Sequence, residues 1–193
     1  MILGITGGTG CGKTTLLQEI EHRGGLVLDC DAIYHELLRR DEALRSAIEA
    51  RFPGVVENGA LNRRKLGAIV FADEQALLDL NAITHRAVKT EVLRRLEDRP
   101  ALAAIDAIAL FEGGLAELCD ATVAVTAPVE SRIRRLMLRD GIDEAYARAR
   151  IAAQKPQAYF EQHCGSVLEN SGTREQFTHR CRVFLDGLMH DTI

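Results

Sequence analysis

The run Gly7-Gly8-Thr9-Gly10-Cys11-Gly12-Lys13-Thr14 constrains this chain more than any other feature, because it fits the pattern G-x-x-x-x-G-K-[ST] residue for residue. The apolar stretch Met1-Ile2-Leu3-Gly4-Ile5-Thr6 precedes it and reads as a strand. Thr15-Leu16-Leu17-Gln18-Glu19-Ile20 follows it and reads as a helix with Leu16, Leu17 and Ile20 on one side. Strand, glycine-rich loop and helix form the context in which such a loop holds a polyphosphate. Glycines let backbone N–H groups turn inward, and the helix start adds a partial positive charge. Lys13 supplies a point charge for the β/γ-phosphates, and the Thr14 hydroxyl can ligate Mg²⁺. Gly8, Thr9, Gly10, Cys11, Gly12, Lys13, Thr14 and Thr15 are therefore the expected nucleotide-binding residues, with ATP or GTP and magnesium as ligands. A glycine-rich turn with a chance lysine would not bring both flanking elements with it.

The 193 residues suit one doubly wound α/β domain with a small inserted lid. Apolar residues make up 47% and aromatics 5%, so the core is expected to be aliphatic, as in parallel strands buried on both faces. A net charge of −4 argues against binding nucleic acid through bulk charge but leaves an anionic small substrate open. The chain opens directly on the first strand with no signal-peptide pattern, and no apolar run nears the roughly 18 residues of a membrane span. Cys11, Cys30, Cys119, Cys164 and Cys181 are widely spaced and odd in number, which fits free thiols in a reducing cytoplasm. Cys11 lies beside a helix start and Lys13, features that lower a thiol pKa. It reads as a small loop residue, with an oxidation-sensitive thiol as the alternative. A monomer or weak oligomer is expected.

Strand signals alternate with helical stretches along the chain. Leu26 to Asp31 reads as a second strand, and Ala32 to Phe52 as a helix ended by Pro53-Gly54. A short helix opens at Leu61-Asn62-Arg63 and runs to about Phe71. A longer one covers roughly Glu74 to Glu97, with Leu77, Leu80, Val88, Val92 and Leu96 toward the core. Ala101 to Asp106, Ala121 to Val125 and Gly165 to Glu169 complete the strands. Helices follow at Val129–Asp140, Asp143–Gln154 and from Arg174 to about Met189.

In open α/β sheets ligands bind beyond the carboxyl ends of the strands. The second strand ends in Asp29 and Asp31, which alternate and so project to one side. The third ends in Asp106, with Glu112 shortly after. A carboxylate facing the γ-phosphate can accept the proton of an attacking hydroxyl or hold Mg²⁺. Asp31 is the candidate base, its alternative role being a helix N-cap before Ala32-Ile33. Asp106 is the candidate magnesium-associated acid, together with Thr14. Arg132, Arg135 and Arg139 share one helix face, with Arg134 to its side, and suit a lid that closes over phosphates. A solvated basic face is the plainer account of the same spacing.

The order of motifs now carries a family resemblance. Thr6-Gly7-Gly8-x-Gly10-x-Gly12-Lys13-Thr14 is followed by Asp29-Cys30-Asp31, Leu61-Asn62-Arg63, Thr84-His85 and Asp106-x-x-x-Leu110-Phe111-Glu112. Then come Arg135-Leu136-Met137-Leu138-Arg139-Asp140-Gly141, Arg150-Ile151-Ala152-Ala153-Gln154 and Asn170-Ser171-Gly172. Together they resemble the dephospho-CoA kinase family over nearly the whole chain. The resemblance implies a P-loop NTPase fold, a three-layer α/β/α arrangement around a five-stranded parallel sheet. It implies one kinase domain over 1–193, with a helical acceptor-binding region at about 32–98 and a lid region at about 129–160. The implied reaction moves the γ-phosphate of ATP to the ribose 3′-hydroxyl of dephospho-CoA. Asp31, Lys13 and Arg139 would be catalytic. Asp31, Arg63, His85 and Glu112 would meet the acceptor, and Asn170 would lie near the adenine of ATP. The chain departs from the family pattern at Cys30, Arg86, Ile108, Phe160 and Cys164-Gly165. A small P-loop kinase for another metabolite and a non-catalytic nucleotide-binding regulator remain as alternatives.

Overall fold

A computed structural model describes residues 1–98 and 100–190. In chain order the elements begin with β1 (Ile2–Thr6), α1 (Lys13–His22), β2 (Leu26–Asp29), α2 (Cys30–Arg40) and α3 (Glu42–Arg51). Next are β3 (Val56–Glu57), β4 (Ala60–Leu61), α4 (Arg63–Val70), α5 (Glu74–Arg95) and β5 (Ala103–Asp106). The chain closes with β6 (Ala121–Thr126), α6 (Val129–Asp140), α7 (Glu144–Ala152), α8 (Gln157–His163), β7 (Ser166–Glu169) and α9 (Arg174–His190).

The main sheet has the order β2-β5-β1-β6-β7 and every pair in it is parallel. The expected five-stranded parallel sheet is thus present. Its strands alternate between two cores, as a pleat requires. Ala103 and Ile105 of β5 face a core shared with α2, α3, α4 and α5, whereas Ala104 faces one shared with α1 and α9. Leu3, Ile5, Leu16 and Ile20 are fully buried in the second core. Each such side chain contributes about 1.5–3 kcal/mol relative to exposure. The result is three layers, helices on both faces of the sheet. In register, Ile5 pairs with Asp106 and Asp29 with Asp106, so the carboxyl ends of β1, β2 and β5 are level.

Several local expectations need correction. The stretch from 32 to 52 is two helices, broken at Asp41, whose extended backbone (φ −92°, ψ 103°) ends α2 while its carboxylate accepts from the Leu44 N–H and caps α3. Strand β2 stops at Asp29, which caps α2 by accepting from the Ala32 N–H at 3.0 Å. Asp31 therefore sits in the first turn of a helix, and the alternation argument does not apply to it. Asn58-Gly59, both at positive φ, turn a short β3–β4 hairpin missed in the sequence reading. Leu77 is exposed, while Val88, Val92 and Leu96 are buried as expected. Helix α8, introduced by Pro156, fills a segment that the sequence reading left without structure. Among the described residues, no helix is long and apolar enough to cross a membrane.

Candidate active site

The phosphate loop joins β1 to α1, and two of its glycines are sterically required. Gly7 has φ 134°, and a Cβ there would lie 2.2 Å from the Val125 carbonyl oxygen; Gly12 has φ 96°, and a Cβ there would meet the Asn170 amide at 2.3 Å. The outer face of the loop is held by side chains from distant elements. Arg132 Nε donates to the Thr9 carbonyl at 2.9 Å. Arg135 donates to the carbonyls of Gly10 at 3.1 Å, Cys11 at 3.2 Å and Asn170 at 3.1 Å. Asn170 Nδ2 donates to the Cys11 carbonyl at 2.9 Å, and the Thr9 N–H donates to Gln154 Oε1 at 2.8 Å. The N–H groups of Lys13 and Thr14 belong to a helix start, where no partner exists within the helix.

This wiring revises the reading of the arginine helix. Arg132, Arg135 and Arg139 do share a face, but the first two are committed to loop carbonyls. Arg132 is 4% exposed, and the Thr9 carbonyl with Gln154 Oε1 satisfies a cation that would otherwise be buried without a partner. Burial lowers the pKa of Arg135. Cys11 is likewise not an activated thiol. It is buried in the core with Leu3 and Leu16, and burial pushes its pKa up against the lowering fields of Arg132, Lys13 and Arg135. All five cysteines are free.

Inside the groove, Lys13 Nζ donates to the Gly7 carbonyl at 3.0 Å and lies 3.8 Å from Asp106 Oδ1. Burial raises the pKa of Asp106 to about 6; Lys13 lowers it and Asp29 and Asp31 raise it further. Among the described residues, Asp106 Oδ1 is buried with no hydrogen-bond partner. A buried carboxylate oxygen left open beside a phosphate loop is a place for a further ligand. Thr14, Asp31, Arg139 and Arg150 line the same groove. At its rim Arg139 grips Asp140 with Nε at 2.7 Å and Nη2 at 3.0 Å, and Arg150 Nη1 reaches Asp140 at 2.5 Å. The two guanidiniums, Arg139 first, hold the Asp140 carboxyl down at about 2.

A second cavity of about 230 Å³ adjoins the groove between α2, α5 and the segment after β5. Its wall includes Tyr34, Asn81, His85, Val88 and Leu115. Asp31 and Ile108 line both the cavity and the groove, so Asp31 stands on the partition between them. Arg63 opens α4 outside the cavity lining; its Nη2 lies 3.2 Å from His35 Nδ1, and its charge reaches Tyr34. Glu112 is in neither lining. It faces Tyr159 of α8, whose pKa burial and Glu112 raise. Tyr159 stacks with His163 at 4.1 Å and His163 with Phe111 at 5.3 Å. The sequence reading missed Tyr34 and Asn81. Their signal was helical spacing, Tyr34 three residues after Asp31 and Asn81 four before His85.

A phosphate loop at the end of the central strand, with carboxylates at two neighbouring strand ends and arginines on the helix after β6, defines a P-loop kinase. Residues 1–176 match the family described as dephospho-CoA kinase, and the chain belongs to that family. The dephospho-CoA kinase of Geobacillus kaustophilus is 37% identical over 182 residues, covering 91% of this chain and 90% of the relative. A Thermus thermophilus protein of known crystal structure superimposes with a TM-score of 0.80 at 33% identity, covering 97% of both chains. The dephospho-CoA kinase of Campylobacter jejuni shares the fold, with a TM-score of 0.69 at 20% identity, covering 100% of this chain and 98% of that one.

Proposed function

We propose that this protein transfers the γ-phosphate of ATP to the ribose 3′-hydroxyl of dephospho-CoA, the last step to coenzyme A. The observation that carries this reading is the position of Asp31, among the described residues the one carboxylate common to the phosphate groove and the adjoining cavity. A hydroxyl presented from the cavity meets Asp31 on the side facing Lys13. The carboxylate orients that hydroxyl and accepts its proton as the new O–P bond forms and the bond to the departing ADP breaks. Lys13 neutralises charge on the donor phosphates, and Arg139 meets the transferred group from the rim. Gly8 to Thr15 cradle the nucleotide, and Arg63 and His85 serve the acceptor. Asn170 supports the nucleotide site from behind the loop.

The Thr14 hydroxyl and the open Asp106 oxygen fit a magnesium ion, which when bound offsets charge between the donor phosphates. The segment at about 32–98 forms the acceptor-binding region, and the segment at about 129–160 acts as the lid of a single domain. The protein works in the cytoplasm as a monomer or weak oligomer, without nucleic-acid or membrane partners. ADP release is measured with ATP, Mg²⁺ and dephospho-CoA, and mass spectrometry identifies the product. Turnover well above an acceptor-free control is expected. ADP no faster than that control overturns the assignment.

A further inference from the structure

The cavity beside Asp31 has a composition that selects one part of the acceptor. Among the described residues, its lining contains no lysine and no arginine. Apolar side chains, Leu80, Val88, Ile108 and Leu115 among them, make up most of it. A diphosphate placed there would be desolvated without a cation to meet it, at a cost of several kcal/mol per charge. The acceptor's ribose bears three things: the hydroxyl that reacts, a base, and an arm that begins with a diphosphate. The hydroxyl belongs at Asp31 and the arm must leave the cavity; Arg63, outside the lining, has a charge that reaches the lining residue Tyr34. That leaves the base for the cavity. A volume of about 230 Å³ admits one such ring system and not the whole acceptor.

Within this apolar wall Asn81 stands out. It is partly buried on the face of α5 that also carries Thr84, His85 and Val88 into the cavity. Thr84 spends its hydroxyl on the carbonyls of Leu80 at 2.9 Å and Asn81 at 3.2 Å. The Asn81 side chain makes no hydrogen bond with any described residue; only its backbone carbonyl is used. A carboxamide offers one acceptor and one donor side by side, which matches an amino group next to a ring nitrogen, the pattern that asparagine reads on adenine. The geometry points to Asn81 as the residue that selects the acceptor's base, its carbonyl accepting from the exocyclic amino group while its amide donates to the neighbouring ring nitrogen. Tyr34, across the cavity beside Asp31, supplies an aromatic wall for the same ring. This inference rests on the acceptor assigned above.

The experiment couples one group on the protein to one group on the ligand. Wild type and Asn81→Leu are each assayed with dephospho-CoA and with an analogue whose purine 6-amino group is replaced by hydrogen. In wild type the analogue is expected to lose about tenfold in kcat/KM, chiefly through KM, because the Asn81 carbonyl is left unpaired. In Asn81→Leu the two acceptors are expected to react equally well. Both acceptors are measured on one preparation, so a partly unfolded variant still reports the true ratio. A tenfold preference that persists in Asn81→Leu, or no preference in wild type, overturns the role of Asn81. Wild type that does not phosphorylate dephospho-CoA at all overturns the acceptor assignment, and this role with it.

Discussion

The donor groove and the acceptor cavity meet at Asp31 but are built on opposite plans. On the donor side the side chains that back the loop are already committed, and Asp106 keeps one open oxygen in the groove. Arg132, Arg135, Gln154 and Asn170 hold the loop's backbone, and Arg139 and Arg150 share Asp140. On the acceptor side the wall is mostly apolar, and the Asn81 amide has no side-chain partner among the described residues. One side is organised before any ligand arrives; the other keeps its hydrogen-bonding capacity for the ligand. A phosphate site gains from fixed dipoles because little reorganisation remains for the reaction step. A base site gains selectivity from groups that are satisfied only by the right partner.

The largest effect should come from the partition itself. Asp31→Asn is expected to lower kcat by about 10³-fold, with the KM for ATP within about twofold of wild type. Steady-state kinetics with both substrates varied checks this, and a collapse of ATP affinity would move Asp31 into the donor site. Next, Arg132→Ala strips a buried cation from the Thr9 carbonyl and from Gln154. It is expected to cost about 3 kcal/mol in denaturant unfolding and to raise the KM for ATP about tenfold. An equal rise in the acceptor KM would show that the two regions are not independent.

Asp106 offers a sharper contrast, because it serves the donor side at the expense of stability. Its folded pKa of about 6 lies above its ordinary 3.8, so the folded chain holds the proton more tightly than the unfolded chain. The contribution of Asp106 to stability without nucleotide should therefore fall as pH rises from about 4 to about 6. Asp106→Asn is expected to remove that fall, unfolding about 2 kcal/mol harder at pH 7 while losing activity. Denaturant titrations of both proteins at pH 4 and pH 7 test it; a stability difference between variant and wild type that is the same at both pH values would break the claim. The smallest effect is expected at Arg63, outside the cavity lining. Arg63→Ala should raise the acceptor KM about tenfold and leave the KM for ATP alone, as substrate-saturation curves would show.

The phosphate loop, the five parallel strands and the positions of Lys13, Asp31 and Asp106 were legible in the sequence because they follow from local pattern and strand-end logic. Asp31 was placed at the groove for an incomplete reason. Asp29 and Asp31 both suit a strand end and a helix cap, and only the Asp29 contact with the Ala32 N–H fixes where β2 stops. Periodicity put Arg132, Arg135 and Arg139 on one face but could not say what that face meets, since the loop carbonyls held by Arg132 and Arg135 lie more than 120 residues away. The alternative of an oxidation-sensitive thiol at Cys11, weighed against a small loop residue, rested on local features in the same way. Lys13 and the helix start are visible locally, whereas the burial that outweighs them comes from other elements. Helix α8 has seven residues, too few for a period to declare itself.

The support of the loop by Asn170 also bears on how the protein is made. Asn170 and Cys11 are 159 residues apart. On a ribosome adding 5–20 residues per second, that separation is roughly ten to thirty seconds. Through that interval the loop has been synthesised but the side chain that backs it has not. A chain ended at residue 164 is accordingly expected to bind a fluorescent ATP analogue no better than a Lys13→Ala control, and tight binding by it would refute the idea. ATP, abundant around every growing chain, would then meet a working site only when almost the whole molecule is in place.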